Sequence, residues 1–265
     1  MTVKTYDYKN LVVQLEDAIL TVTFNRANKL NAWDDPTLDE LTHLRKEIYG
    51  NDAIRVIIFT GSGRAFGVGA DLEIFEQYTT PLALRRRGQR LTRFFEDLEA
   101  LEKPVLAAVN GLCVGGGLEM ALACDLRVAA DDSRYGFPEN KIGITPGIGG
   151  CVRLTKLVGT AKAKELILLG EFIDAQEAYR LGLVNWVVPA GLLLEKTREI
   201  AEKLSRKAPL ALGLAKNIIT NCANMDARSG LALEKYAQSI LVSTSDHKEG
   251  MNAFRGKREP RFMGK

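Results

Sequence analysis

Two glutamates carry the clearest chemical signal in this 265-residue sequence. Glu119 follows three consecutive glycines, Gly115 to Gly117, at the start of a helical pattern, and Glu139 follows Pro138 in another glycine-rich loop. Each sits where a loop meets a regular element, beside backbone that glycine leaves open to close approach. Two carboxylates so placed suit proton movement next to a carbonyl. The first N–H groups of a helix have no intrahelical partner, and with the helix dipole they favour negative charge placed before them. Gly116 is positioned to donate such an N–H, and a donor from a second loop would complete a hole for an oxyanion. Spacing alone leaves a plainer reading open, in which Glu119 complements the helix dipole and Glu139 is an ordinary loop acid.

Other chemistries fit less well. The loop at residues 61–71 (GSGRAFGVGAD) follows a strand-like run and precedes a helix, the setting of a phosphate-binding turn, but Phe66 stands where the third glycine of G-x-G-x-x-G is required. The loop at residues 111–117 lacks the lysine of a P-loop. Cys113, Cys124, Cys151 and Cys222 show no C-x-x-C spacing, and His43 and His247 are the only histidines. No metal site and no disulfide framework is therefore expected, and scattered thiols among apolar neighbours read as buried core residues in a reducing compartment. Ser245-x-x-Lys248 matches a hydrolase fragment by accident; Ser245 reads as a helix N-cap. Asp71 reads as the cap of the helix it begins, and Asp125 as the end of a helix or the partner of a cation.

The elements that must position the two acids follow from periodicity. Residues 11–16 and 18–24 alternate apolar and polar side chains and form a hairpin around Asp17. Asp34 or Asp35 before Pro36 starts a helix whose Leu38, Leu41, Leu44 and Ile48 keep the helical period until Gly50. Residues 54–60 (IRVIIFT) are apolar but for Arg55 and the closing Thr60, as in a strand covered on both faces. Residues 82–102 form a long helix with Leu84, Leu91, Phe94, Phe95, Leu98 and Leu101 on one side and Arg85, Arg86, Arg87, Arg90 and Arg93 on the other. Residues 104–109 and 125–130 are strands enclosing the helix of Glu119. This alternation predicts an α/β core with helices covering sheets. From residue 147 onward the pattern is mostly helical, with only residues 184–188 extended. The shift near residue 190 divides the chain into a core at 1–190 and a helical region at 191–265, where subunits would meet.

Composition sets the outer limits. Hydrophobic residues make up 46% and charged residues 26%, ordinary values for a soluble globular chain, and a net charge of +3 does not by itself call for a nucleic-acid partner. No apolar run approaches the roughly 20 residues that span a bilayer, and MTVKTYDYKN has no apolar signal-peptide centre. A cytoplasmic location is expected, though a removed mitochondrial transit peptide would leave no trace.

Three segments, GRAFGVGADL, AVNGLCVGGGLEMALACD and FPENKIGITPGIGG, resemble the crotonase (enoyl-CoA hydratase/isomerase) superfamily in wording and order. The likeness extends to NRANKLNAW, LGEFIDAQEAYRLGLVNWVV and SDHKEGMNAFRGKREPRF, nearly the whole chain. It implies a spiral of ββα units, two nearly perpendicular sheets wrapped by helices, and a helical trimerisation region. It implies a homo-oligomer, a trimer or a dimer of trimers. It also implies oxyanion-hole N–H groups from Ala70 and Gly116 that bind the thioester carbonyl of an acyl-CoA, and the two hydratase acids at Glu119 and Glu139. Substrate contacts are implied for Lys29, Leu30, Val68, Asp71 and Leu72, with the acyl pocket completed by residues 75–91. No cofactor is expected, since coenzyme A is part of the substrate. Cys151 stands where the superfamily often has threonine and Ala27 where it usually has proline, so the subfamily is not fixed by these motifs.

The resemblance therefore points to hydration of a 2-enoyl-CoA, with Glu119 activating the water and Glu139 delivering the proton, or the reverse. An isomerase or a thioester hydrolase on the same scaffold is the alternative enzyme. A non-catalytic CoA-thioester or RNA-binding module is the alternative of another class. For the arginine-rich helix, a solvated face near the CoA phosphates is the leading reading and RNA binding the lesser one.

Overall fold

The computed structural model describes residues 4, 5 and 7–265, so part of the N-terminal stretch read above lies outside the described residues. Strand β1 (Lys4–Thr5) pairs with a hairpin of β2 (Leu11–Glu16) and β3 (Ile19–Phe24). The hairpin turn is made by Asp17 and Ala18, both at positive φ (49° and 66°), the conformation of a two-residue turn whose twist matches its flanking strands. Helix α1 (Asp35–Gly50) follows, capped by the Asp34 side chain, which accepts from the Thr37 N–H at 3.0 Å.

The rest of the core repeats one unit. A long strand enters a large sheet, a short strand enters a small one, and a helix or turn returns the chain. The first repeat is β4 (Val56–Gly61), β5 (Ala65–Gly67), α2 (Glu73–Gln77) and α3 (Pro81–Ala100). The second is β6 (Val105–Val109), β7 (Leu112–Val114) and α4 (Gly116–Ala123). The third is β8 (Leu126–Ala130), β9 (Arg134–Gly136), a 3₁₀ turn (Pro138–Ile142) and α5 (Gly150–Val158). Then come α6 (Thr160–Leu169), β10 (Ile173–Asp174), α7 (Ala175–Arg180), β11 (Trp186–Val188), α8 (Leu193–Ser205), α9 (Pro209–Cys222), α10 (Ala227–Leu241) and α11 (Ser245–Arg255). The seven-stranded sheet has the order β1-β2-β3-β4-β6-β8-β11 and is parallel from β3 onward; the four-stranded sheet has the order β10-β9-β7-β5, with β9, β7 and β5 parallel. The ββα repetition expected from the resemblance is thus present.

Strand β4 explains why an unbroken apolar run was needed. Ile57 and Phe59 point into a core with Leu41, Leu44 and Ile48 of α1 and Phe94, Phe95 and Leu98 of α3. Val56 and Ile58 point the other way, into a second core closed by Leu193, Ile200 and Ala201 of α8. Alternate side chains of one strand therefore bury on opposite faces. Packing continuity across the sheet extends into α8, while α9, α10 and α11 leave Ile219, Leu231, Tyr236, Ile240 and Phe254 exposed in the monomer.

Two local readings are corrected. The cap of α11 is Thr244, whose hydroxyl accepts from the His247 N–H at 3.1 Å, and Ser245 is the first helical residue. The arginines of α3 are not one solvated face. Arg87 is buried, donating to Asp35 at 2.8 Å and to the Trp33 carbonyl at 3.4 Å, and Arg90 pairs with Asp39; Arg85, Arg86 and Arg93 are exposed. Asp125 pairs with a cation as one reading held, accepting from Lys216 at 2.9 Å and from the Val105 N–H at 2.7 Å. Cys113 and Cys124 are buried, Cys151 and Cys222 half-buried, and all four are free thiols.

Candidate active site

The small sheet aims its strand ends at one place. Strands β5, β7 and β9 run parallel and adjacent, so the loops leaving their C-terminal ends lie side by side, the end of a parallel sheet where ligands are usually bound. The loop after β5 carries Val68, Gly69 and Ala70. The one after β7 carries Gly115 and Gly116 and leads into α4 with Glu119. The one after β9 carries Phe137, Pro138 and Glu139. Three triplets too short to show a period (AFG, LCV and RYG) therefore do the positioning.

The first two loops touch. A Cβ on Gly116 would lie 2.9 Å from the Cα of Gly69, and one on Gly69 would lie 2.6 Å from the Gly116 nitrogen. Gly69 also has φ +87°, a conformation that side chains rarely adopt. Trp33, which the sequence reading did not single out, clamps the β5 loop. Its N–H donates to the Gly69 carbonyl at 2.7 Å, and its carbonyl accepts the Asp71 N–H at 3.0 Å. In that parallel bridge the Ala70 N–H points away from Trp33, and it has no hydrogen-bond partner among the described residues. The Gly116 N–H opens α4 and likewise has none. Ala70 and Gly116 are half-buried, each between buried neighbours: Gly69 and Asp71 on one loop, Gly115 and Gly117 on the other.

The carboxylates converge on the same loops in unlike settings. Glu119 is 2% exposed. Its Oε1 accepts the Ile148 N–H at 2.8 Å and the Gly150 N–H at 2.7 Å, a backbone grip that no sequence spacing announced. Burial raises its pKa, while those two hydrogen bonds and the Arg153 charge pull back towards the ionised form. Glu139 is half-buried. Its Oε1 lies 3.1 Å from where a Gly115 Cβ would stand, and its Oε2 is buried without a hydrogen-bond partner. Burial, and to a lesser degree the Glu119 charge, push its pKa up to about 7. One acid is held in place by N–H donors. The other is poised to exchange its proton near neutrality.

The remaining predicted contacts surround this centre unevenly. The Val68 carbonyl lies 3.4 Å from the Gly115 Cβ position, so Val68 adjoins Glu139. Leu72 is exposed. Leu30 is half-buried with φ +53°, and the Lys29 ammonium is exposed, 3.0 Å from Glu73. Asp71 is buried, and its carboxylate accepts from Arg26 at 3.3 Å, a cation that also reaches Asp34 at 3.1 Å. Its expected capping role is corrected: α2 begins at Glu73, and Asp71 offers the Glu73 N–H only a long 3.4 Å contact. A cavity of about 810 Å³ opens behind the turn at residues 147–149, between α3, α5 and α9; Val68, Leu72 and residues 75–91 do not line it. Among the described residues no cluster of His, Cys, Asp or Glu has the arrangement to hold a metal ion, and no helix is long and apolar enough to cross a membrane.

Known proteins share this architecture. The enoyl-CoA hydratase/isomerase family model matches residues 14–265. The chain is 41% identical to a short-chain-enoyl-CoA hydratase of Clostridium acetobutylicum, over 96% of this chain and 97% of that protein. It is 38% identical to a crotonyl-CoA hydratase of Syntrophomonas wolfei, over 97% and 99%. Among solved structures, an enoyl-CoA hydratase from Bacillus anthracis superposes with a TM-score of 0.93 at 39% identity, covering 97% of this chain and all of the other. The chain belongs to the enoyl-CoA hydratase/isomerase family, and its fold is the crotonase-like α/β fold that the resemblance implied.

Proposed function

We propose that the chain is an enoyl-CoA hydratase, a hydro-lyase adding water syn across the double bond of a 2-enoyl-CoA thioester to give a 3-hydroxyacyl-CoA. The observation that carries this reading is the meeting of two acids in unlike environments with two unpartnered N–H groups, those of Ala70 and Gly116. The thioester oxygen lies between these donors and gains enolate charge as water attacks, so both hydrogen bonds strengthen in the transition state. Glu119, held by Ile148 and Gly150, takes a proton from the water attacking Cβ. Glu139, with its pKa near 7, gives a proton to Cα. Water's oxygen and one hydrogen remain on Cβ, Cα keeps the proton from Glu139, and the proton left on Glu119 returns to Glu139 through solvent before the next turnover, so one water is added and no electrons are transferred.

Crotonyl-CoA is the test substrate. Hydration abolishes the conjugated enoyl absorbance and yields 3-hydroxybutyryl-CoA, a 3-enoyl product would mark an isomerase, and free CoA would mark a hydrolase. Lys29, Leu30, Val68, Asp71 and Leu72 form the substrate rim in this reading, Asp71 acting through the loop it ties to Arg26. The reaction needs no cofactor beyond the CoA of the substrate. The helices at 191–265 join copies into a trimer or a dimer of trimers, a reading supported by the exposed Leu231, Tyr236, Ile240 and Phe254. The enzyme acts in the cytoplasm, in fatty acid metabolism.

A further inference from the structure

Arg153 lies outside the reacting groups, yet its contacts meet at the turn that grips Glu119. It follows the turn on α5, and each of its three guanidinium nitrogens donates a hydrogen bond. Nη1 donates to the Ile148 carbonyl at 2.8 Å, while Nε and Nη2 form a two-pronged pair with the Glu99 carboxylate of α3 at 2.8 and 2.7 Å. The guanidinium also lies over the Phe95 ring, 5.9 Å from its centroid. The turn is shaped around it. Gly149 has φ +112°, and a Cβ there would lie 1.9 Å from Arg153 Nη1. A side chain at 149 would therefore occupy the path by which the guanidinium reaches Ile148.

Resting on the hydratase reading for the role of Glu119, we propose that Arg153, braced by Glu99, is the positioning residue that holds the turn at residues 148–150 so that its N–H groups keep Glu119 aimed and ionised. The Ile148 backbone is held at both of its polar groups, its carbonyl by Arg153 and its N–H by Glu119 Oε1. A planar fork can hold a carboxylate with two donors and still offer a third to a carbonyl, which a lysine ammonium cannot do in that geometry. The charged groups around Glu119 make the electrostatic sign clear. Arg153 comes from α5 with Glu99 of α3 behind it, Glu139 faces the site from the 3₁₀ turn, and β5 and β7 bring no ionisable side chain but the buried Cys113. Arg153 is the charge that opposes the burial of Glu119.

The test uses the full-length protein and three substitutions, each checked for folding by circular dichroism. Arg153→Gln removes charge and brace, and the acid limb of kcat/KM is expected to move up by about one pH unit, the scale of an adjacent opposite charge. Arg153→Lys keeps the charge and loses the fork, so kcat falls by about tenfold or more with the limb near its original pH. Glu99→Gln leaves Arg153 charged but loosens it, so kcat falls and the limb does not rise. A contribution to stability alone would move no limb, and general loosening of the site would move the limb the same way in Arg153→Gln and Glu99→Gln. Direct titration of the Glu119 carboxyl, by carbon-13 NMR of protein labelled at the glutamate carboxyl carbon and identified with Glu119→Gln, reads the same shift without turnover. Failure of the parent to hydrate any of a panel of short-chain, branched, cyclic and aromatic 2-enoyl-CoA thioesters would refute the hydratase reading and leave this titration to decide the proposal. A carboxyl titrating identically in parent and Arg153→Gln would overturn it.

Discussion

Gly69 and Gly116 meet back to back, with the Cβ position of Gly116 only 2.9 Å from the Gly69 Cα. Each belongs to a different ββα repeat, so their contact sets the separation of the two free donors, Ala70 N–H and Gly116 N–H. A methyl group at either position must push the loops apart. Gly116→Ala is expected to lower kcat/KM by about 100-fold or more, the usual cost of losing one oxyanion donor. Steady-state kinetics with crotonyl-CoA provide the check, and a value within threefold of the parent would show that the contact of Gly69 with Gly116 does not set the donor spacing.

Glu119→Gln and Glu139→Gln keep shape and remove proton transfer. Each should lower kcat by at least about 100-fold while calorimetry still detects binding of a saturated acyl-CoA. The two differ in the packing they disturb. Glu119 uses Oε1 to accept two N–H groups, and an amide oxygen can do the same if its nitrogen turns outward, so little stability is lost. Retained turnover in either variant would remove that acid from the mechanism.

The Glu139 pKa of about 7 gives two signs to verify. As a proton donor Glu139 must be protonated, so kcat/KM should fall as pH rises through about 7. A carboxyl whose folded pKa is raised binds more protons folded than unfolded, so its contribution to stability is full below the unfolded value and is lost as pH rises through the folded one. Parent protein should therefore lose melting temperature between pH 5 and pH 8 relative to Glu139→Gln. Equal pH slopes for the two proteins would mean that the carboxyl titrates normally.

What the residues disclosed in advance depended on how many side chains reported on a position. Strand β4 and helices α1 and α3 were readable because a long run repeats its period. Strands β5, β7 and β9 hold three residues each and were hidden inside loops that announced themselves only by glycine. The two acids were visible as types at junctions, and their assignment leaned on motif likeness. The grip of Ile148 and Gly150 on Glu119 and the clamp of Trp33 on Gly69 are main-chain contacts between distant segments, which residue types do not encode. Arg87 misled because five arginines on one helix read as a solvated face; its burial depends on Asp35, which in turn accepts from the Tyr78 hydroxyl at 2.7 Å.

That buried Arg87 sharpens the nucleic-acid question. Only Arg85, Arg86 and Arg93 of the run are exposed, a sparse set for a phosphate track. RNA affinity should be weak, only shallowly salt-dependent because few phosphates are neutralised, and abolished by acyl-CoA. Filter binding at two salt concentrations measures it, and tight binding unaffected by acyl-CoA would restore the RNA reading.

Asp246 offers a stability test independent of catalysis. It is 4% exposed, and its two carboxylate oxygens separately accept the Met263 N–H at 2.7 Å and the Gly264 N–H at 2.8 Å, while its own N–H donates to the Lys265 carbonyl at 3.1 Å. Arg55 adds a donor to the Phe262 carbonyl at 2.5 Å and another to the Ser205 carbonyl at 3.0 Å, so the closing segment is tied both to α11 and to the end of α8. Asp246→Ala leaves two N–H groups without their acceptor. It should cost about 1–3 kcal/mol, lowering the melting temperature by several degrees for a chain of this size. Asp246→Asn keeps one acceptor oxygen and should lose less. Because α8 closes the core behind β4 and β6, loosening there should accelerate proteolysis of the closing segment before it affects kcat. An alanine variant that melts with the parent would show that the segment is held by other contacts.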